Sequence, residues 1–91
     1  MVEDITPAEE ARDIIKIELL AKGLTYRGLS EKLALIGVHE NELQIKAKIN
    51  RGAFPFYFFV QVMRAIGVQQ VDLSRYVKSV ELKNNKDNWT D

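Results

Sequence analysis

The chain has 91 residues, no cysteine, 46% hydrophobic side chains and a formal net charge of zero. That length supports one small domain with one core, and the missing cysteines exclude disulfides and thiolate metal sites. Zero net charge argues against indiscriminate nucleic-acid binding. No apolar run approaches the roughly 18 residues of a membrane span. The acidic start MVEDITPAEE lacks the basic-then-apolar plan of a signal peptide, so a cytoplasmic protein is expected.

Thr6-Pro7-Ala8-Glu9 predicts a helix start. Thr6 caps, Pro7 takes the first helical position, and Glu9 at the third completes a capping box. The helix is expected over residues 7–22, with Ala11, Ile15 and Leu19 on its apolar face, Ile14 and Leu20 beside them, and Gly23 as the stop. Thr25 predicts a second helix over 26–36, buried through Leu29, Leu33 and Ile36 and ended by Gly37. Gly28 near its start suggests close approach by another helix.

Residues 38–40 read as a turn, and Asn41 caps a third helix over 42–51 that stops at Gly52. Phe54-Pro55 opens a fourth helix running to Ile66, stopped by Gly67. Asp72 is a cap for a short fifth helix over 72–80, followed by a polar tail over 81–91 in which Trp89 stands alone. No stretch alternates at period two. The expectation is therefore an all-α, compact bundle of about five helices in one domain spanning 1–80.

Charge is unevenly spread. Residues 43–71 hold Lys46, Lys48, Arg51 and Arg64 and no acid, whereas residues 1–22 hold six acids against three bases. This basic island runs into FPFYFF, and basic residues beside aromatics suit single-stranded nucleic acid. Winding residues 55–66 at about 100° per residue points elsewhere. Pro55, Phe56, Phe59, Val62, Met63 and Ile66 share an inward face, Tyr57, Gln61 and Arg64 lie opposite, and Phe58 falls on a flank. Aromatics at helical spacing more often pack a core than stack on bases. Phe58 is left for a second helix or a dimer contact.

Wound in the same way, the third helix turns Ile45, Ile49 and Gly52 inward. Leu43, Gln44, Lys46, Ala47, Asn50 and Arg51 face outward, with Lys48 at the boundary. Such a face has major-groove chemistry: Gln and Asn suit adenine, Arg and Lys suit guanine or phosphate, and Ala suits a thymine methyl. A solvated basic helix would look similar.

The ordered pieces Gly23-Leu24-Thr25, Leu29-Ser30-Glu31-Lys32, Gly37-Val38, Arg51-Gly52 and Ala65-Ile66-Gly67-Val68 resemble the Cro/C1-type, lambda-repressor-like helix-turn-helix family over about residues 12–80. The resemblance implies a DNA-binding transcriptional regulator that reads double-stranded DNA with its third helix. Gln44, Ala47, Lys48 and Arg51 would lie nearest the bases, Lys46 and Asn50 beside them, and Tyr26, Arg27 and Lys32 on phosphates. It also implies a homodimer, with Phe58, the fifth helix and the Trp89 tail as candidate contacts. Two departures stand out. The stretch from Leu29 to Gly52 is more than a helical turn longer than usual, with the excess in residues 34–42. Tyr26 stands where members often carry a phosphate-binding Gln.

A protein–protein module on the same scaffold is the alternative, favoured if Glu40 and Glu42 interrupt the positive face. Catalysis is not expected. His39 is the sole histidine and sits in a turn, the paired acids lie at helix starts or in a turn, and no phosphate-cradling loop or metal-ligand spacing occurs. No cofactor and no small-molecule substrate are implied.

Overall fold

The computed structural model describes residues 5–75. They form a compact all-helical unit: α1 (Pro7–Ala21), α2 (Tyr26–Leu35), α3 (Glu42–Arg51), α4 (Phe56–Ala65) and a 3-10 turn, Leu73–Arg75. There is no strand among the described residues. Of the expected fifth helix only this turn is described. Asp72 does cap it, accepting from the Ser74 backbone N–H at 3.0 Å. Residues 76–80, the tail and Trp89 lie outside the described residues.

The helix starts follow their caps. Thr6 and Glu9 form the reciprocal box on α1, and Thr25 accepts from the Gly28 N–H on α2. The ends of α1, α2 and α4 share one device. The N–H groups of Leu24, Val38 and Val68 each reach back to the carbonyls of Leu19, Leu33 and Met63 at 2.9 Å. The glycine before each bonds one residue later in the helix. This is the Schellman motif, and its apolar final residue packs back onto the helix. Leu24, Val38 and Val68 all rest against the core. The Gly-Leu and Gly-Val pairs of the sequence are therefore helix terminators that double as packing residues.

α3 ends differently. Gly52 adopts a left-handed φ of 69°, and its α-carbon lies against the first turn of α1. A β-carbon there would sit 2.0 Å from the Ala8 carbonyl oxygen. Gly28 makes no such approach. Its neighbours are Leu24 and Thr25 of the preceding loop, not another helix.

α3 packs on α1 and α2, and α2 packs on α4. Ile15, Leu19, Leu29, Leu33, Ile45, Ile49, Phe58, Val62, Met63 and Ile66 make up the common core. Three expectations fail here. Leu20 is 78% exposed, because it lies about 100° beyond Leu19 and the buried stripe of α1 continues instead through Glu18. Ile36 is 42% exposed, since α2 stops at Leu35 and Ile36 already belongs to the connection.

The third correction is in α4. Phe58 is 1% exposed and is the largest fully buried side chain, whereas Phe56 is 76% exposed. The buried ladder is Phe58, Val62, Ile66 at i, i+4, i+8, with Met63 beside it. Phe54 meets the Phe58 ring edge-on at 5.5 Å, and the exposed Phe56 stacks at 6.0 Å on Phe59, which is half-buried against the core. Phe58 is therefore no dimer contact.

The long stretch between Leu29 and Gly52 is taken up by the connection, since α2 ends at Leu35. Residues 36–41 join α2 to α3, and the Ser30 hydroxyl donates to the Glu40 carbonyl at 2.7 Å. That bond ties the end of the loop to the middle of α2.

Candidate nucleic-acid interface

α3 is held from below and from its N-terminus. Ile45 and Ile49 are fully buried against α1 and α2. At its start, Asn41 Oδ1 accepts from the Gln44 backbone N–H at 2.8 Å, and Gln44 Oε1 accepts from the Asn41 backbone N–H at 2.9 Å. Two backbone donors that helix geometry leaves unmatched are thereby satisfied. The Asn41-x-x-Gln44 spacing signals this box in the sequence, as Thr6-x-x-Glu9 does for α1.

The outward face carries Leu43, Gln44, Lys46, Ala47, Asn50 and Arg51, all exposed. Ala47 is at its centre, opposite the buried Ile45 and Ile49 by the helical winding. No acid stands among these residues, and Lys46 and Arg51 make no ion pair with the other described residues.

Lys48 is not part of that face. Its ammonium lies 2.6 Å from Glu40 Oε2 and 4.7 Å from the centre of the Phe58 ring, with both charged side chains mostly covered. The local sequence gives no hint of this pair, because Glu40 precedes the helix and Lys48 follows it by two turns. Glu40 thus removes one cation from the surface. Glu42 is exposed on another flank, where it lines a groove with Lys16, Leu19, Leu20, Leu24 and Tyr26.

The α2 residues divide. Arg27 is exposed and tied loosely to Glu31 at 3.8 Å, a contact worth tenths of a kcal/mol at most. Lys32 is exposed but lies about 160° round the helix from Ser30, on the flank away from the start of α3. Tyr26 is half-buried with its hydroxyl sealed from solvent and without a hydrogen-bond partner among the described residues. Burial raises its pKa above the usual value, and the nearby Arg12 opposes the shift. A sealed hydroxyl is not placed to hold a phosphate. Of the nine residues the sequence singled out, Gln44, Lys46, Ala47, Asn50 and Arg51 share one exposed face of α3, Arg27 is exposed on α2 beside Glu31, and Tyr26, Lys32 and Lys48 do not join that face.

Among the described residues, no helix is long and apolar enough to cross a membrane, and no three His, Asp or Glu side chains converge to hold a metal. What the fold defines is a small all-α domain in which α3, capped at its start, presents an acid-free outer face while Ile45 and Ile49 join the shared core. Residues 8–71, which begin at the contact of Ala8 with Gly52 and end just after α4, match the family described as Domain of unknown function (DUF6471), and the chain belongs to that family. No curated protein and no solved structure matches it.

Proposed function

We propose that this domain is a DNA-binding transcriptional regulator on a lambda-repressor-like helix-turn-helix scaffold, acting in the cytoplasm, with α3 entering the major groove of double-stranded DNA. The observation that carries this reading is the outer face of α3. Five side chains suited to base edges and phosphates stand exposed together, on a helix whose other side is locked into the core. The small Ala47 at the centre lets the helix approach closely. Asn50 and Arg51 flank it toward the bases, and Lys46 and Arg27 reach phosphates.

Three surface cations give one domain modest affinity. A second copy on a half-site roughly 34 Å away compensates. Ile36, Phe56 and Tyr57 are exposed, line one groove with Val38 and Val60, and are candidates for that contact.

A protein partner in place of DNA is the second reading. Glu40 neutralising Lys48 favours it, as do the exposed Leu20 and Leu43 near the groove that Glu42 lines. Selection of bound sequences from random double-stranded DNA at two salt concentrations separates the two. Enrichment of one sequence that survives the higher salt supports DNA. No enrichment at either salt leaves the protein-partner reading.

A further inference from the structure

We infer that Glu40 is a positioning residue that acts through Lys48: it holds the ammonium against the core and so withholds one backbone-phosphate contact from α3. This rests on the DNA reading above and adds to it a residue that limits affinity without touching DNA. By the helical winding, Lys46 and Lys48 stand about 100° to either side of Ala47, the centre of the outer face. The sequence makes them equivalent and the fold does not. Lys46 is exposed and makes no ion pair with the other described residues. Lys48 is turned toward the core, 2.6 Å from Glu40 Oε2 and 4.7 Å from the centre of the Phe58 ring.

The two charges depend on each other. Glu40 Oε1 is sealed from solvent with no hydrogen-bond partner among the described residues, so Oε2 and its contact with Lys48 carry the pairing of that carboxylate. Both side chains are mostly covered, with 29% of Lys48 and 25% of Glu40 exposed. A covered ammonium that loses its counter-charge does better in water. Lys48 can reach water, because its stem is flexible and starts one turn from both Gln44 and Arg51, which belong to the outer face. The carboxylate therefore occupies the place a DNA phosphate would otherwise take on this lysine.

The test measures affinity for duplex DNA of random sequence across a range of salt. The proteins are the wild type, Glu40→Gln, Lys48→Met and the double variant, with circular dichroism to show that each is folded. Ser30 donates to the Glu40 main-chain carbonyl, so the tie on the loop is kept when the side chain changes. Glu40→Gln is expected to bind more tightly than the wild type, with a log–log salt slope steeper by about 0.9. Its advantage then grows by about 3.5-fold as salt falls from about 200 to about 50 mM. Misfolding does not imitate this, since it lowers affinity. Lys48→Met is expected to keep the wild-type slope, because a paired Lys48 gives no phosphate contact. Adding Glu40→Gln to Lys48→Met is expected to bring no gain.

Unchanged or weaker binding by a folded Glu40→Gln overturns the inference. So does an equal gain in both backgrounds, which would mark the loss of an acid and not the release of a lysine. A Lys48→Met slope shallower by about 0.9 also overturns it, by placing Lys48 on phosphate in the wild type; this arm decides the matter even where Glu40→Gln does not fold. In all three cases the DNA reading stands. No binding by the wild type at any salt removes the DNA reading itself, and this inference with it.

Discussion

The Lys48 ammonium sits 2.6 Å from the Glu40 carboxylate and 4.7 Å from the centre of the Phe58 ring. One residue of α3 is thereby fastened both to the loop that precedes the helix and to the core residue of α4 beneath it. Ser30 holds the same loop through the Glu40 carbonyl. The long connection between α2 and α3 is pinned at its end, which fixes the angle at which α3 is presented.

That pair is intermediate between an exposed ion pair and a buried one. A double-mutant cycle with Glu40→Gln and Lys48→Met is expected to give a coupling energy of about 1–2 kcal/mol in urea unfolding. Because Lys48 is turned away from the outer face, Lys48→Met is also expected to weaken DNA binding less than Arg51→Ala. A larger loss from Lys48→Met would return Lys48 to the interface.

Gly52 gives a sharper stability prediction. Alanine there meets the Ala8 carbonyl oxygen at 2.0 Å in addition to the cost of a left-handed backbone. Gly67 has a similar φ of 79° with nothing within 4 Å of the added carbon. Gly67→Ala is expected to cost about 1 kcal/mol, and Gly52→Ala about 3 kcal/mol or more as α1 and α3 are forced apart. Equal losses in the urea midpoint would show that the close approach has no energetic weight.

The two phenylalanines of α4 make a matched pair. Phe58→Ala empties a fully buried site and is expected to cost about 3–5 kcal/mol. Phe56→Ala acts on an exposed ring and is expected to cost under about 1 kcal/mol. If a second copy covers the groove beside Phe56, the same change lowers the dimer fraction in sedimentation while leaving the monomer folded.

Tyr26 predicts a pH dependence. Its hydroxyl has a folded-state pKa raised by burial above the ordinary 10.0. The neutral phenol's contribution is fully present below pH 10.0 and is lost as pH climbs from there through the raised value. Wild-type stability is expected to fall more steeply above that pH than that of Tyr26→Phe. Below it, Tyr26→Phe costs nothing or stabilises by up to about 1 kcal/mol, since the sealed hydroxyl has no hydrogen-bond partner among the described residues. Unfolding curves at neutral and strongly alkaline pH check both parts.

The legibility of these features in the sequence follows from their physics. Helix boundaries were readable because caps and terminators are local: Thr6, Thr25 and Asn41 open helices, and glycine followed by leucine or valine closes them. These closing pairs also carry much of the resemblance to the repressor family, and their work is packing, not base contact. The phase of α3 was readable because Ile45 and Ile49 stand among polar residues. The phase of α4 was not, because FYFFV is apolar on every side and offers no polar edge to set the rotation. Tertiary packing against α2 decided it in favour of Phe58. The pairing of Lys48 was not legible because its partner lies outside its own helix, nor was the sealed hydroxyl of Tyr26, because an aromatic hydroxyl can face inward as readily as outward.

We propose that the outer face of α3 meets DNA, through Lys46 and Arg51, which make no ion pair among the described residues. The direct measurement is affinity for the selected sequence across a range of salt, for the wild type and for Lys46→Ala/Arg51→Ala. Each lost phosphate contact lowers the log–log salt slope by about 0.9, so the double variant is predicted to bind more weakly with a slope shallower by up to about 1.8. Equal affinity and equal slope for the two proteins would contradict the claim.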